Sequence, residues 1–363
     1  MTAIDPQRCP LCSGPNACAL AAGTGACSGC WCADVHVPGA LLARVPTAAV
    51  GVACICRTCI DRARDATAAA GSDAAMPTFP PGLEAVQDPG GRDALRLHGP
   101  GGTILVALLG AQVLSCRTSV GELLFTGSTA EHAKGKPVRG GIPLVFPWFG
   151  DHPTDPKLPA HGFARTQAWR VAETGAGPSV VLETTDDAST RALWPHAYRL
   201  RLSISVATQP TLRWEIENRG DAPFRCEEAL HTYFAVGDVH TATVHGLQGV
   251  PHTETAKEPE GPWDVRAPLR FRAETDRVFH GTPDTIELHA PALRRTVTLA
   301  SRNARSAIVW TPWPTKAARL SGLGPDDWQR FCCIETANCK QDALQLAPGQ
   351  RHVLELVLRA AAN

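Results

Sequence analysis

The pattern of apolar and polar residues beyond about residue 83 is that of short β-strands separated by turns. In the segment LRWEIENRG, Leu212, Trp214 and Ile216 lie on one face, and charged side chains lie on the other. The last apolar segment, HVLELVLR, alternates in the same way. Alternation with a period of two predicts strands that bury one face. Further strands are expected at 103–109, 179–185, 198–207, 223–230, 294–300 and 304–310.

These strand signals indicate one dominant fold class. No long segment with a helical period competes with them, and no internal repeat divides the region. Many short strands separated by turn residues are typical of antiparallel sandwiches. The sequence therefore predicts an all-β domain, a large antiparallel β-sandwich, over residues 82–363.

The segment before the strands has a different character, because nine of the 14 cysteines lie between Cys9 and Cys59. Closely spaced cysteine pairs such as CPLC and CICRTC clamp a tetrahedral metal ion from two sides. We therefore predict a cysteine-rich, metal-binding module at residues 1–66, followed by an Ala-, Gly- and Pro-rich linker at 67–81. The cysteines expected to form up to two four-cysteine sites are Cys9, Cys12, Cys18, Cys30, Cys32, Cys54, Cys56 and Cys59.

Zinc is the metal that we expect in this module. Iron–sulfur clusters use the same thiolate ligands, so the residues leave that alternative open. A metal-free module with reduced or disulfide-linked cysteines is a second alternative. A metal is favoured because so short a segment has too little apolar mass to fold unaided.

Charge and hydropathy exclude several classes of partner. Lys+Arg and Asp+Glu both number 35, so the chain has no overall basic field that would attract nucleic acid or an anionic membrane. No apolar segment approaches the roughly 18 residues of a membrane span, and the first residues do not resemble a secretory signal. We expect a cytoplasmic protein in which any preference for an anion comes from a local group of side chains and not from the overall charge.

One stretch, from Val138 to Ala168, combines the features of a ligand pocket. It reads VRGGIPLVFPWFG, then an acidic Pro-rich loop, then HGFARTQA. Paired glycines allow the backbone to approach a ligand, and the aromatic residues offer flat apolar faces. Arg139 and Arg165 flank the stretch and suit an anionic ligand, because a guanidinium matches carboxylate or phosphate geometry. The same residue types are also common in ordinary loops of β proteins.

Four segments occur in the order found in a known family: VRGGIPLVFPWFG, HGFAR, EEALHTYFAVGD and VWTPWPTKAARLSGLGPDDWQRFCCIETAN. Together they resemble the glucose-6-phosphate 1-epimerases, the hexose-6-phosphate mutarotase branch of the aldose 1-epimerase family. The resemblance extends from about Phe79 to the C-terminus and implies the galactose mutarotase-like supersandwich. The N-terminal stretch is similar to the small cysteine-rich CWC family, named for the tripeptide Cys30-Trp31-Cys32.

The resemblance implies a role for individual residues. His231 and Glu335 fall on the catalytic histidine and glutamate of the family, and Asp276 falls on a position that contacts sugar hydroxyls. We assign His161 to substrate contact, with ordering of its loop as the alternative. Arg139 and Arg165 are expected to bind the phosphate of a hexose 6-phosphate. No cofactor is expected for catalysis.

The expected function is therefore interconversion of the α and β anomers of glucose 6-phosphate and of related hexose 6-phosphates. One base and one acid open and close the sugar ring. The alternative is a non-catalytic sugar-phosphate sensor or adaptor whose cysteine-rich module contacts a partner, since a fold does not confer an activity. A departure from the family pattern is Thr311, where Asn is common, and it leaves the finer sugar contacts open.

Overall fold

The computed structural model describes residues 4–18, 35, 37, 39–42, 44–63, 79–130, 137–257, 259, 261 and 263–363. The chain divides into two compact units, Met1–Thr78 and Phe79–Asn363. Cys30, Cys32 and most of the predicted linker lie outside the described residues. Among the described residues, no helix is long and apolar enough to cross a membrane.

The N-terminal unit contains short helices and a small core. Its helices are α1 (Gly39–Leu42), a 3-10 turn at Thr47–Ala49, and α2 at residues 57–63. Its apolar cluster contains the buried side chains of Cys9, Leu41, Ile55, Cys56 and Ile60. Two of these five are cysteines, so the described part of this unit buries little apolar surface.

The second unit is built from antiparallel sheets, as the alternating pattern predicts. Strands are numbered in chain order. The nine-stranded sheet has the order β16 (Leu269–Arg270), β14 (Thr243–His245), β18 (Thr285–Ala290), β19 (Arg295–Arg302), β23 (Arg351–Ala362), β10 (Thr211–Asn218), β9 (Tyr198–Ser205), β8 (Ser179–Thr185) and β7 (Arg170–Thr174). The seven-stranded sheet has the order β15 (His252–Glu254), β17 (Thr275–His280), β20 (Ser306–Thr311), β21 (Phe331–Asn338), β12 (Glu228–Leu230) and β6 (Leu144–Val145), and β13 (Tyr233–Ala235) pairs with β21.

Two smaller sheets complete this unit. The five-stranded sheet has the order β1 (Leu83–Gln87), β2 (Asp93–Gly99), β3 (Gly102–Ala107), β4 (Val113–Thr118) and β5 (Gly121–Glu122), and β11 (Phe224–Cys226) pairs with β22 (Leu344–Leu346). Short helices connect strands at α3 (Ala188–Leu193) and α4 (Trp313–Ala317), with 3-10 turns at Ala164–Thr166, Pro291–Leu293, Asp327–Gln329 and Lys340–Asp342.

The main core lies between the sheets, where the apolar face of each strand packs. Leu212, Trp214 and Ile216 of β10 are fully buried there, as their alternation predicts. The opposite face of the same sheet carries ion pairs. Glu217 was expected on that polar face, and it is buried because Arg199 covers it at 2.7 Å.

One predicted strand is wrong in its extent. The segment 223–230 was expected to be a single strand, but β11 pairs with β22 while β12 joins the seven-stranded sheet. The carboxylate of Glu227, at the break, accepts the backbone N–H of Phe149 at 2.7 Å and that of Lys340 at 2.8 Å. Glu227 thus holds the loops at Phe149 and Lys340 together at the point where the chain passes from one sheet to the other.

Candidate active site

The site is built on strand β21, whose eight residues are all buried. Cys332 and Ile334 pack into the main core, while Cys333 and Ala337 pack into a second apolar cluster. Because side chains alternate along a strand, Glu335 points to the same side as Cys333. This side of the seven-stranded sheet is the floor of the site.

Strand register places further side chains on that floor. Asp276 of β17 pairs with Trp310 of β20, Trp310 pairs with Cys333, and Cys333 pairs with Tyr233 of β13. Trp310 and Tyr233 belong to the second apolar cluster. Asp276 therefore stands at one end of a row of apolar side chains, next to the row that holds Glu335.

His231 lies beside Glu335 because the partner of β21 changes at this point. β13 pairs with the first half of β21 and β12 with the second half, and His231 lies in the short connection between them. Its Nε2 is 3.4 Å from Oε1 of Glu335. Both side chains are buried, with 7 % and 2 % of the residue exposed. Nδ1 of His231 and Oε2 of Glu335 have no hydrogen-bond partner among the described residues.

Burial governs the electrostatics of this pair. Burial lowers the pKa of His231 well below its usual range, and the nearby His161, Arg165 and Arg139 lower this pKa further. Burial raises the pKa of the Glu335 carboxyl well above its usual range, and the charge of Asp276 adds to this rise. Both directions favour neutral side chains, with the shared proton on the carboxyl group.

His161 lies against the His231–Glu335 pair. Its ring meets that of His231 edge to face, with centroids 5.3 Å apart, and its Nδ1 accepts the backbone N–H of Gly150 at 3.3 Å. Burial, then Arg165, Arg139 and Lys340, lower the pKa of His161 to about 3. A neutral ring whose Nδ1 is an acceptor carries its proton on Nε2, so His161 can donate to a hydroxyl group.

The two arginines predicted from the sequence both reach this region. Nη1 of Arg139 donates to the hydroxyl of Tyr233 at 3.4 Å, and its Nε donates to the carbonyl of Ser321 at 3.1 Å. Nη2 of Arg165 donates to the carbonyl of Ala160 at 2.6 Å. Among the ion pairs of the described residues, none includes either guanidinium. Both retain N–H groups for an anionic ligand.

Asp276 is held by a lysine rather than standing alone. Nζ of Lys316 lies 3.5 Å from Oδ2 of Asp276 and 2.9 Å from Oε1 of the buried Glu274. Burial raises the pKa of Asp276, while the charge of Lys316 opposes that rise. The ammonium group therefore keeps two carboxylates together at the edge of the site.

The paired glycines are required by their immediate surroundings. A Cβ on Gly140 would lie 2.3 Å from the carbonyl oxygen of Phe125, and one on Gly141 would lie 2.1 Å from that of Val113. Both residues have positive φ, at 128° and 63°. Glycine is therefore needed at both positions, whether or not their backbone also approaches a ligand.

Sequence reasoning missed two residues of the site, Tyr233 and Lys340. The ring of Tyr233 stacks on that of His231, with centroids 4.9 Å apart and an interplanar angle of 8°. The available signal was its position two residues after His231 in an extended segment, which places both side chains on one face. Nζ of Lys340 donates to the carbonyl of Phe149 at 3.3 Å. Lys340 lies just beyond β21, and nothing in the sequence there indicated that its side chain turns toward the site.

The N-terminal unit contains a separate cluster of four thiols. The Sγ atoms of Cys9, Cys12, Cys56 and Cys59 all lie within 4.8 Å of one another. Cys9 and Cys59 are 3.9 Å apart, and Cys12 and Cys56 are 3.6 Å apart. These distances match the sulfur–sulfur spacing of about 3.8 Å in a tetrahedral zinc–thiolate site. Cys18 and Cys54 form a separate pair, 3.2 Å apart. The described part of the chain thus places four of the eight predicted ligands in one cluster and two more in a separate pair.

Comparison with known proteins gives two family matches. The model of the aldose 1-epimerase family matches residues 93–359. The model of the cysteine-rich CWC family matches residues 9–61. The two matches fall in different compact units of the chain.

Curated relatives and a solved structure agree with the longer match. A relative from Cenchrus ciliaris is 29 % identical over 78 % of this chain and 89 % of its own length. One from Escherichia coli K12 is 31 % identical over 64 % of this chain and 78 % of its own length. Both carry the provisional name glucose-6-phosphate 1-epimerase. The crystal structure of a provisionally named mutarotase from Salmonella typhimurium has a TM-score of 0.69 and 25 % identity, covering 82 % of this chain and all of that one.

These similarities confirm the all-β, galactose mutarotase-like fold and the separate cysteine-rich module. A family model that spans most of the chain coincides with the unit that contains His231 and Glu335. The chain belongs to the aldose 1-epimerase family and has a cysteine-rich CWC segment in its N-terminal unit.

Proposed function

We propose that this protein interconverts the α and β anomers of D-glucose 6-phosphate by acid–base opening and closure of the sugar ring. The observation that carries the proposal is the buried pair His231–Glu335, with Nε2 and Oε1 separated by 3.4 Å. An imidazole and a carboxylate side by side are the two groups that this reaction needs. The names of the curated relatives support glucose 6-phosphate as the substrate.

Each proton and electron pair has a defined destination in this reaction. Glu335 takes the proton of the anomeric hydroxyl, and the electrons of that O–H bond form the C1 carbonyl. The bond between C1 and the ring oxygen breaks, and the ring oxygen takes a proton from Nε2 of His231. Rotation about the C1–C2 bond presents the other carbonyl face. Closure then reverses both transfers and gives the opposite anomer, so the cycle requires no cofactor.

The favoured position of the shared proton differs from the one that ring opening requires. Burial favours neutral His231 and protonated Glu335, which is the protonation state that accompanies the open-chain sugar. Ring opening begins from the other state, with the proton on His231. The 3.4 Å contact is slightly longer than an N–H···O hydrogen bond, and such contacts often tighten only when substrate binds.

The phosphate group gives Arg139 and Arg165 a function. A sugar phosphate carries nearly two negative charges, and donors in the protein must replace the hydration that it loses on binding. Burial and neighbouring charges lower the pKa of His161, so His161 stays neutral and adds no positive charge to that of the arginines. His161 and Asp276 are proposed to contact the sugar hydroxyls.

A binding-only sensor or adaptor is the competing function. Such a protein would use the arginines and the apolar floor, but it would not need an acid and a base in contact. The unpartnered Nδ1 of His231 and Oε2 of Glu335 favour the enzyme, because buried polar atoms without partners are costly and occur at functional sites.

The cysteine-rich module is proposed to hold zinc. Cys9, Cys12, Cys56 and Cys59 would bind one ion, and the spacing of their sulfur atoms fits a tetrahedral thiolate site. Cys18 and Cys54, with Cys30 and Cys32 outside the described residues, are the candidates for a second site. Zinc would stabilise the fold of this unit and take no part in the sugar chemistry.

Exchange between the two anomers of glucose 6-phosphate tests the proposed function. NMR saturation transfer measures this exchange at equilibrium, and a sample without protein gives the uncatalysed rate. We expect catalysed exchange that Glu335→Gln abolishes. Phosphate-dependent binding without any acceleration of exchange would support the sensor instead.

A further inference from the structure

Lys340 lies just beyond the catalytic strand, in a backbone conformation that needs an explanation. Its φ is +56°, in the left-handed region that is unfavourable for a lysine. Non-glycine residues persist there only when the surrounding structure holds them, and such positions cluster at functional sites. The contacts around Lys340 identify what holds it.

Two hydrogen bonds fix the backbone at this position. The N–H of Lys340 donates to Oε1 of Glu227 at 2.8 Å, and Nη2 of Arg225 donates to the carbonyl of Lys340 at 2.7 Å. The other oxygen of Glu227 accepts the N–H of Phe149 at 2.7 Å. Glu227 is only 7 % exposed. One buried carboxylate therefore ties Lys340 to the loop that leads to His161.

The ammonium group of Lys340 is positioned at the side of the site. Its Nζ lies 3.3 Å from the carbonyl oxygen of Phe149 and 5.6 Å from the centre of that ring. The Phe149 ring in turn meets the ring of His161 edge to face, with centroids 5.0 Å apart. Lys340 is also one of the three cations that lower the pKa of His161, after Arg165 and Arg139.

Counter-ions are absent from this arrangement in the part of the chain that is described. Lys340 is exposed, and none of the ion pairs among the described residues includes it. Lys340 has no carboxylate partner among the described residues, and a strained backbone holds it near His161. Its charge adds to the positive potential created by Arg139 and Arg165. Such local fields raise the capture rate of an oppositely charged ligand.

We infer that Lys340 is a specificity-determining residue, a third cation that draws the phosphate dianion of the substrate to the site. This inference rests on the proposed function. Lys340 acts on substrate capture through its charge, whereas Arg139 and Arg165 are proposed to make the direct hydrogen bonds. Its loss should therefore alter kcat/KM and KM, while kcat, which reports the steps after capture, stays the same.

The test uses the full-length protein and two substitutions. Lys340→Asn removes the charge with a residue that tolerates positive φ, so the backbone is not further strained. Lys340→Arg keeps the charge. Arg359→Gln is the matched control for net charge, because Arg359 lies exposed on β23 of the nine-stranded sheet. Anomer exchange of glucose 6-phosphate is measured for each at about 0.02 M and about 0.3 M salt, below and above the ionic strength at which a charge is screened within about 8 Å.

We expect Lys340→Asn to lower kcat/KM about 3- to 10-fold at low salt and much less at high salt, as a screened charge predicts. Lys340→Arg should restore most of the loss, and Arg359→Gln should have no effect. An unchanged kcat/KM in Lys340→Asn, or a lower kcat that salt does not alter, would overturn the inference. Arg139→Ala separates the two proposals: if Arg139→Ala weakens capture of glucose 6-phosphate and Lys340→Asn does not, only the role of Lys340 fails.

Discussion

The two compact units of this chain are stabilised by different means. The β unit has a core formed by the apolar faces of its sheets, including fully buried Trp214, Phe146 and Tyr198. In the described part of the N-terminal unit, the apolar cluster contains five buried side chains, two of them cysteines. This unit also holds four thiols that are close enough to bind one metal ion.

This difference separates two functions as well as two kinds of stability. A large core can bury a histidine and a carboxylate in contact, because the surrounding packing offsets the cost of burying them. A small unit that folds only with its metal has no surplus packing energy to offset such burial, since ion binding and folding are one equilibrium. We therefore propose that catalysis belongs to the β unit and metal dependence to the N-terminal unit, and four predictions test this separation.

Metal removal should have the largest effect and should affect only one unit. Structural zinc in small domains contributes about 10–16 kcal/mol of apparent binding free energy, so a chelator should unfold the N-terminal unit. Elemental analysis of reduced protein should find one ion per chain for Cys9, Cys12, Cys56 and Cys59, and two if the second site forms. Hydrogen exchange should then increase in residues 4–63 and remain low in the sheets. Folded, thiol-reduced protein without any metal would contradict the prediction.

Substitution of His231 or Glu335 should abolish most of the activity and leave the metal in the N-terminal unit. Glu335→Gln removes the base and His231→Asn removes the acid, so each should lower turnover by about 10²-fold or more. Metal content should not change in either variant, and binding of substrate should be largely kept. Turnover near that of the unaltered protein in either variant would refute the assignment, and His161, whose ring adjoins His231, would be the next residue to test.

The arginines should affect one substrate more than another. Hydrogen bonds to charged groups contribute roughly 1.5–3 kcal/mol, so Arg139→Ala or Arg165→Ala should lower kcat/KM for glucose 6-phosphate by about 10- to 150-fold. Arg→Lys should restore only part of this, because an ammonium cannot form the bidentate contact. Any activity on free glucose serves as the control and should change little. Parallel losses on both sugars, with lower thermal stability, would mean that the arginines only hold the loop.

The smallest expected effect is a shift in the pH dependence of the β unit. The negative charge of Asp276 raises the pKa of the Glu335 carboxyl, in addition to the effect of burial. Asp276→Asn removes that charge, so the pKa of Glu335 should fall. The pair needs one proton, and with rising pH that last proton leaves from Glu335. The alkaline limb of the kcat/KM profile should therefore move to lower pH. A profile of kcat/KM against pH for both proteins measures the shift. A limb that moves to higher pH, or that does not move, would exclude this coupling.

The fold was more predictable from the sequence than the site was. Alternation along β10 and β23 reports which face each side chain buries, because a strand has a fixed period. The break between β11 and β12 was not visible, because Glu227 at the break binds two loops that are distant in the sequence. Local pattern carries no information on such contacts.

Within the site, resemblance to a family supplied what spacing could not. His231 and Glu335 are separated by more than 100 positions in the sequence, and their contact depends on where β21 changes partners between β13 and β12. Gly140 and Gly141 could be named from the sequence as positions that need glycine. The sequence could not show that the carbonyl oxygens of Phe125 and Val113 lie against them. Motif residues could thus be named in advance, while the atoms that they touch could not.

The most direct test of this account is anomer exchange of glucose 6-phosphate catalysed by residues 79–363 alone, compared with the full-length chain and with Glu335→Gln in the same truncated protein. The β unit forms its own compact body from Phe79 onward and contains both His231 and Glu335. The account predicts equal kcat/KM for the truncated and full-length proteins, and exchange at or near the uncatalysed rate for the Glu335→Gln variant. Loss of activity in a stably folded truncation, or full activity without Glu335, would contradict it.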